Sequence, residues 1–121
     1  MSARRVFVIW THPLFHESIR LLLRRPNVEL VGATSDGAVG ERQIAMLRPD
    51  VVIIEETEEE QQADARIMSV LQRVPKLIRL SLEDNQLVLF QRQDRTVGQV
   101  ADLLRLIVED SAIDTPAGES G

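Results

Sequence analysis

Short apolar runs alternate with helical patterns along most of this chain, and that alternation constrains the fold more than any other feature. Continuous apolar runs cover residues 6–10 and 51–54, the second within a strand predicted over residues 50–55, and a further strand pattern covers residues 28–34. Runs of this kind are typical of strands buried on both faces of a sheet. Between them, apolar residues recur at helical spacing until Pro26 or Pro49 ends the pattern. Alternating strands and helices predict an open, largely parallel sheet with helices on both faces.

The same patterns give approximate bounds for the remaining elements. A helix is predicted from Pro13 to Pro26, and further helices over residues 38–47, 61–74 and 97–109. Strands are predicted over residues 76–82 and 87–90, and Asp94 or Thr96 is expected to cap the last helix. Residues 111–121 contain Pro, Ala, Gly and Ser without a period, which predicts a disordered tail after one domain over residues 1–110.

The connection between the fourth and fifth strands is too short for a parallel crossover. Residues 83–86 alone separate the two apolar runs, whereas a parallel crossover needs about a dozen residues or more. The fifth strand is therefore predicted to run antiparallel to the fourth, at the edge of the sheet. Because an edge strand presents unpaired backbone groups, its residues form a candidate interaction edge: Leu87, Val88, Leu89 and Phe90. A homodimer through this edge or through the last helix is expected.

Composition excludes several classes of protein. The chain has no cysteine, which removes disulfide scaffolds, thiol nucleophiles and cysteine metal sites and fits a reducing cytoplasm. No apolar stretch approaches the ~20 residues that span a bilayer. The net charge is −5 and Lys76 is the only lysine, although Arg20, Arg24 and Arg25 could form a small basic patch. Neither membrane insertion nor nucleic-acid binding is expected.

Several segments resemble those of bacterial response-regulator receiver domains, in the right order. The matching segments are Val-Phe-Val-Ile and His-Pro-Leu-Phe over residues 6–15, Val-Glu-Leu-Val-Gly-Ala over 28–33, Ser-Asp-Gly over 35–37, and Arg-Pro-Asp-Val-Val-Ile-Ile over 48–54. Ser81 stands where the family closes its fourth strand with Thr or Ser. The resemblance covers about residues 4–82. It implies a three-layer, flavodoxin-like open sheet of strand order 2-1-3-4-5, here with the family's fourth helix missing.

The positions that carry the family's chemistry differ in this chain. The acidic pair that holds Mg²⁺ in a receiver corresponds to Trp10 and Thr11, and an indole offers no hard oxygen ligand. Glu55 replaces the aspartate that accepts the phosphoryl group, and its carboxylate is longer by one methylene. The lysine at the end of the fifth strand is absent, since Lys76 lies at the opposite end of the fourth. Phosphoryl transfer depends on positioning and charge neutralisation, so the resemblance implies a pseudo-receiver that uses no metal or cofactor and is not an enzyme.

Two of these positions allow more than one interpretation. Glu55 could imitate a phosphorylated aspartate with its fixed charge, or could simply end a buried strand at a solvated crevice. Trp10 could fill the vacated metal site, or could line a pocket for a small anion or metabolite together with Thr11, Glu55 and Ser81. The second choice for Trp10 describes a ligand-sensing domain.

A third hypothesis is a metal-dependent enzyme. His12 and His16 are four residues apart, which places both imidazoles on one helical face, and Glu55 or Glu56 could supply a third ligand. His12 also belongs to the receiver-like framework.

Acidic residues at 55, 56 and 58–60 precede a predicted helix. Carboxylates there interact favourably with the positive end of the helix dipole, or could attract a basic partner. The leading expectation remains a phosphorylation-independent module of bacterial signal transduction or transcriptional regulation that binds a protein partner or itself.

Overall fold

A computed structural model describes residues 3–56, 69–91 and 94–108. In chain order the elements are β1 (Arg4–Ile9), α1 (Pro13–Leu22), β2 (Val28–Thr34), α2 (Gly37–Leu47), β3 (Val51–Glu55), β4 (Lys76–Ser81), β5 (Gln86–Gln91), β6 (Asp94–Gly98), a 3-10 turn (Val100–Asp102) and α3 (Leu103–Val108). Residues 69–71 are also helical. The rest of the helix predicted over residues 61–74, and the tail predicted over 111–121, lie outside the described residues.

The six strands form one open sheet of order β2-β1-β3-β4-β5-β6. β2, β1, β3 and β4 are parallel, and β5 runs antiparallel to β4. The predicted flavodoxin-like order 2-1-3-4-5 and the antiparallel fifth strand are therefore confirmed. Residues 82–85 form a tight turn between β4 and β5 with no room for a helix, and Asn85 takes a left-handed conformation with φ of 56°.

The predictions that β5 lies at the edge and that a helix begins at Val97 are both wrong. β6 pairs antiparallel with the whole length of β5, from Leu87 opposite Gly98 to Gln91 opposite Asp94. The four residues predicted as an interaction edge, Leu87, Val88, Leu89 and Phe90, are consequently paired on both sides. Thr96 is paired in a strand and caps no helix, because its β-branched side chain and that of Val97 suit the pleated surface. The helical turn begins later, at a capping box formed by Gln99 and Asp102.

Apolar side chains cover both faces of the sheet and give the three predicted layers. On one face, α1 and α3 pack against the strands through a cluster that includes Phe15, Ile19, Leu103 and Ile107. On the other face, Ile44 of α2 and Val70 and Val74 pack against the strands. Strands buried from both sides explain why the apolar runs of β1 and β3 are continuous.

The two helices that follow β1 and β2 begin with different signals. Pro13 occupies the first turn of α1, where a missing N–H costs nothing. Asp36 caps α2, since its side chain accepts hydrogen bonds from the backbone N–H groups of Ala38 and Val39 at 2.9 and 3.1 Å. Within the described ranges, no helix is long and apolar enough to cross a membrane.

Candidate functional site

The carboxyl ends of the parallel strands meet at one edge of the sheet, where open α/β sheets bind their ligands. β1 ends next to Trp10, β3 ends at Glu55 and β4 ends at Ser81. All three were singled out from the sequence. Glu55 is buried, with 8% of its surface exposed.

The Glu55 carboxylate is held by the loop between β1 and α1. One oxygen, Oε1, accepts hydrogen bonds from the backbone N–H groups of Thr11 at 2.6 Å and His12 at 2.9 Å. The other, Oε2, lies 2.5 Å from Nδ1 of the His12 ring. An ionised carboxylate can only accept, so this contact is a hydrogen bond when the imidazole carries its proton on Nδ1. These three residues, Glu55, Thr11 and His12, form what we call the Glu55 clasp.

The clasp explains how a charged group can lie at the end of a buried strand. Burying a carboxylate is costly unless donors replace its lost water, and here two backbone N–H groups and one imidazole do so. His12 is also the residue before the first turn of α1 and makes no side-chain cap of its own. The clasp therefore ties the end of β3 to the beginning of α1.

Trp10 lies beside the clasp and is stacked on His16. The two ring centroids are 4.9 Å apart and the ring planes differ by 2°. Trp10 is half-buried and packs against the core cluster that α1 and α3 share. An indole thus lies at the end of β1, and an indole offers no hard oxygen ligand.

Ser81 and Glu56 make their contacts with residues outside the Glu55 clasp. The Ser81 hydroxyl is buried and faces the β4–β5 turn, where it donates to Asp84 Oδ2 at 3.4 Å and accepts from the Asp84 N–H at 3.3 Å. Glu56 Oε1 lies 3.5 Å from Nε of Arg79, whose guanidinium stands 5.6 Å from the centre of the Phe90 ring. The predicted crevice residues are therefore neighbours on the sheet, but each has its own contacts.

Lys76 lies at the opposite end of β4 from this edge. Its side chain is buried and Nζ donates to the carbonyl oxygen of Leu106 in α3 at 2.6 Å. Because the chain has no other lysine, no ammonium group stands at the carboxyl edge of the sheet.

The histidines are not arranged as metal ligands. His12 points Nδ1 at Glu55 and His16 stacks on Trp10. Across the described part of the chain, no group of three or more His, Asp or Glu side chains could hold a metal ion. The one signal in the sequence that pointed to the clasp was the extra methylene of Glu55, which lets its carboxylate reach the neighbouring loop. The partners Thr11 and His12 were not anticipated in that role.

Comparisons with known proteins support this fold. No protein-family model matches the chain, and no curated protein matches it. The chain is similar to a solved structure described as the signal receiver domain of the response regulator NarL from Mycobacterium tuberculosis. The two are 27% identical, the match covers 67% of this chain and 68% of that chain, and the TM-score is 0.55. The likeness supports a receiver-domain fold, as expected of a signal-transduction module.

Proposed function

We propose that this chain is a receiver-like signalling module that works through contact with protein partners in the bacterial cytoplasm and neither accepts a phosphoryl group nor catalyses a reaction. Signal transduction follows from the receiver-domain fold. The finer statement, that the module is phosphorylation-independent, depends on the chemistry at the carboxyl edge of the sheet.

The observation that carries the proposal is the Glu55 clasp. A carboxylate that is to attack a phosphorus atom, or to bind a metal ion, needs a free oxygen lone pair directed at the incoming group. Both oxygens of Glu55 are instead directed at donors of the same chain, two on Oε1 and one on Oε2. Withdrawing the carboxylate would leave these donors without their partner, which adds to the barrier of any such reaction.

The surroundings of Glu55 supply little of what phosphoryl transfer needs. Catalysis of that reaction consists of positioning and of neutralising the charge that spreads over the transferred oxygens. Trp10 and Thr11 stand where the metal-binding acids would be, and the single lysine is bound to α3 at the far end of β4. The ligand-sensing alternative requires Glu55 and Ser81 to face an open crevice, whereas their polar atoms contact Thr11, His12 and Asp84.

Self-association along the sheet is part of the proposal. β6 is the outermost strand of the sheet, and in the described part of the chain no strand pairs with its outer side. Val97 in β6 is 67% exposed. Exposed edges of this kind favour strand addition, and two copies related by a two-fold axis would complete each other's edge.

Light scattering at high protein concentration tests this self-association. We expect a dimer that Val97→Lys weakens, and a monomer at all concentrations would exclude the dimer.

Intact-mass measurement tests the proposed function. The full chain and Glu55→Asp are incubated with Mg²⁺ and a small acyl phosphate, beside a phosphorylatable receiver domain that serves as the positive control. We expect no added phosphoryl group on either form, because Asp at position 55 restores the acceptor but neither the metal ligands nor the lysine. A phosphoryl adduct on the unaltered chain would refute the proposal. An adduct on Glu55→Asp alone would mean that the clasp is the only block.

A further inference from the structure

Exposed arginines stand before three of the four parallel strands of the sheet. Their side chains come from separate loops: Arg24 and Arg25 before β2, Arg48 before β3 and Arg73 before β4. None of the four forms an ion pair with another described residue. Because these strands are parallel, they begin at one edge of the sheet, which we call the amino edge. The fold therefore gathers at this edge arginines that are far apart in the sequence.

Exposed acids follow the same three strands, at the carboxyl edge of the sheet. They are Asp36 after β2, Glu56 after β3, and Glu83 and Asp84 after β4. Arg79, near the end of β4, lies 3.5 Å from Glu56 and offsets one of these charges in part. Each of the three strands thus has positive charge before it and negative charge after it.

Other charged groups at the amino edge do not reverse its sign. Arg5, at the start of β1, donates from Nη1 to the carbonyl oxygen of Leu47 at 2.7 Å. Asp50 lies beside it and accepts from the Arg5 backbone N–H at 2.9 Å. Glu29 in β2 is an exposed acid close to this edge, and the four exposed arginines outnumber it. The described part of the amino edge is therefore a basic surface.

Helix ends account for only some of these charges. α2 begins at its Asp36 cap and ends at Arg48, and charges in this order interact favourably with the helix dipole. Glu83 and Asp84, however, lie in the turn between β4 and β5, which leads from one strand to the next. Their charges stabilise no helix end, and they extend the acidic surface across the sheet.

We propose that the amino edge of one copy of this chain binds the carboxyl edge of the next, so that copies associate end to end along the strands. A copy that is displaced along the strands without rotation places its arginines against the acids that follow the same strands. The two sets match in order from β2 to β4, across about 15 Å at about 4.8 Å per strand. Opposite charges across an interface fix its orientation and speed association.

The symmetry of this contact follows from the charges. A pair related by a two-fold axis through these edges would place arginine against arginine, or carboxylate against carboxylate. A head-to-tail contact instead leaves one free edge at each end of the assembly, so it continues to grow as the protein concentration rises. Pairing of two β6 strands, by contrast, is complete at two copies. The inference goes beyond the proposed function, which names no contact at the ends of the strands.

Two other occupants fit the amino edge less well. Affinity for nucleic acid rises with the number of phosphates that are neutralised, and this edge offers four exposed arginines on a chain of net charge −5. An acidic segment of another protein would use the amino edge and leave the acids of the carboxyl edge without a role. A second copy uses both surfaces.

Sedimentation velocity of the full chain at two salt concentrations tests the inference. At about 0.02 M NaCl we expect the weight-average mass to rise past that of two copies as the protein concentration increases. At about 0.5 M NaCl it should fall to two copies or fewer, because salt screens charges between exposed groups. A mass that never passes two copies, or that salt leaves unchanged, would overturn the inference.

Charge reversal on one edge at a time supplies an independent readout. Arg48→Glu/Arg73→Glu reverses the charge before β3 and β4, and Glu56→Arg/Glu83→Arg reverses the charge after the same strands. Either variant alone brings like charges together, so its association should weaken by about tenfold or more. An equal mixture should recover association, because each variant then supplies the edge that complements the other. Recovery would also show that both variants are folded.

The matched control compares two arginines of one element. Arg48→Glu and Arg42→Glu have the same net charge, but Arg42 lies within α2, six residues or about 9 Å from the amino edge position of Arg48. We expect Arg48→Glu to weaken association and Arg42→Glu to leave it nearly unchanged. Equal losses in these two variants, or no recovery in the mixture, would refute end-to-end binding. The proposed function would then stand, because it depends on the Glu55 clasp.

Discussion

Glu55 illustrates how one side chain can change the chemistry of a site while leaving the fold in place. An aspartate at the end of β3 would hold its carboxylate close to the backbone, within reach of a metal ion or phosphoryl donor. The longer glutamate carries the carboxylate to the backbone of Thr11 and His12. Glu55 therefore links the end of β3 to the loop between β1 and α1. The donors of the Glu55 clasp offset the cost of burying its carboxylate.

Removing the carboxylate should destabilise the domain. In Glu55→Ala the two backbone N–H groups and the His12 ring lose their acceptor, and we expect the free energy of unfolding to fall by about 1–3 kcal/mol. Urea denaturation measures this. Glu56→Ala is the control, because Glu56 is exposed and its contact with Arg79 is 3.5 Å long, so a loss of at most about 1 kcal/mol is expected. Equal losses in the two variants would show that the clasp contributes nothing.

Residue identity alone indicated which positions were unusual, but not what they contact. From the sequence, Trp10, Thr11 and Glu55 were predicted to occupy the positions where the receiver pattern has aspartates or other acids. The pairing of Glu55 with His12 was not, because it depends on the path of the loop between β1 and α1. That path is set by contacts between residues more than forty positions apart.

At the scale of elements, the segment from β4 to α3 is where this chain departs from the receiver pattern. A four-residue turn and a pair of antiparallel strands take the place of a helix and a parallel strand. The turn was predictable from its length, since no crossover fits it. β6 was not, because Val97, Val100 and Leu104 also recur at helical spacing and the pairing partner of a short strand is not local.

The turn between β4 and β5 should depend on Asn85. Its φ of 56° is left-handed, which asparagine tolerates and a β-branched residue does not. Asn85→Val should therefore lower the free energy of unfolding by about 1–2 kcal/mol. Glu83→Val, at an exposed position of the same turn with negative φ, should change it by less than about 0.5 kcal/mol. Thermal or urea unfolding of both variants would contradict this account if they behaved alike.

The start of α3 should respond to pH through Asp102. The hydrogen bond from the Gln99 N–H, and then the Arg105 side chain, lower the pKa of the Asp102 carboxyl below its usual value. A lowered folded-state pKa stabilises the fold above the unfolded-state value, and this contribution is lost as the pH falls through the folded-state value. Asp102→Asn should therefore have a lower melting temperature than the unaltered chain near neutral pH. The difference should shrink below about pH 4, and a difference independent of pH would contradict the assignment.

At the scale of the whole molecule, the pattern of apolar residues predicted most of the three-layer arrangement. Continuous runs in β1 and β3 predicted strands buried on both faces. The resemblance to receiver domains implied the order of the first five strands. The prediction that β5 forms the outer edge was wrong because residues 97–109 were predicted as a helix, whereas Asp94–Gly98 form strand β6. The described residues form a receiver-type scaffold in which Glu55 and Ser81, at its carboxyl edge, contact groups of the same chain.

The central claim is that the carboxyl edge of this scaffold takes no part in phosphoryl chemistry, and the most direct measurement is a backbone amide NMR spectrum before and after addition of Mg²⁺ and a small acyl phosphate. We expect the signals of Thr11, His12, Leu82 and the residues of α1 to keep their positions, because donors of the same chain hold both oxygens of the Glu55 carboxylate. A new set of signals, or movement of these amides that saturates with reagent concentration, would show that the site still responds to phosphoryl chemistry and would contradict the account.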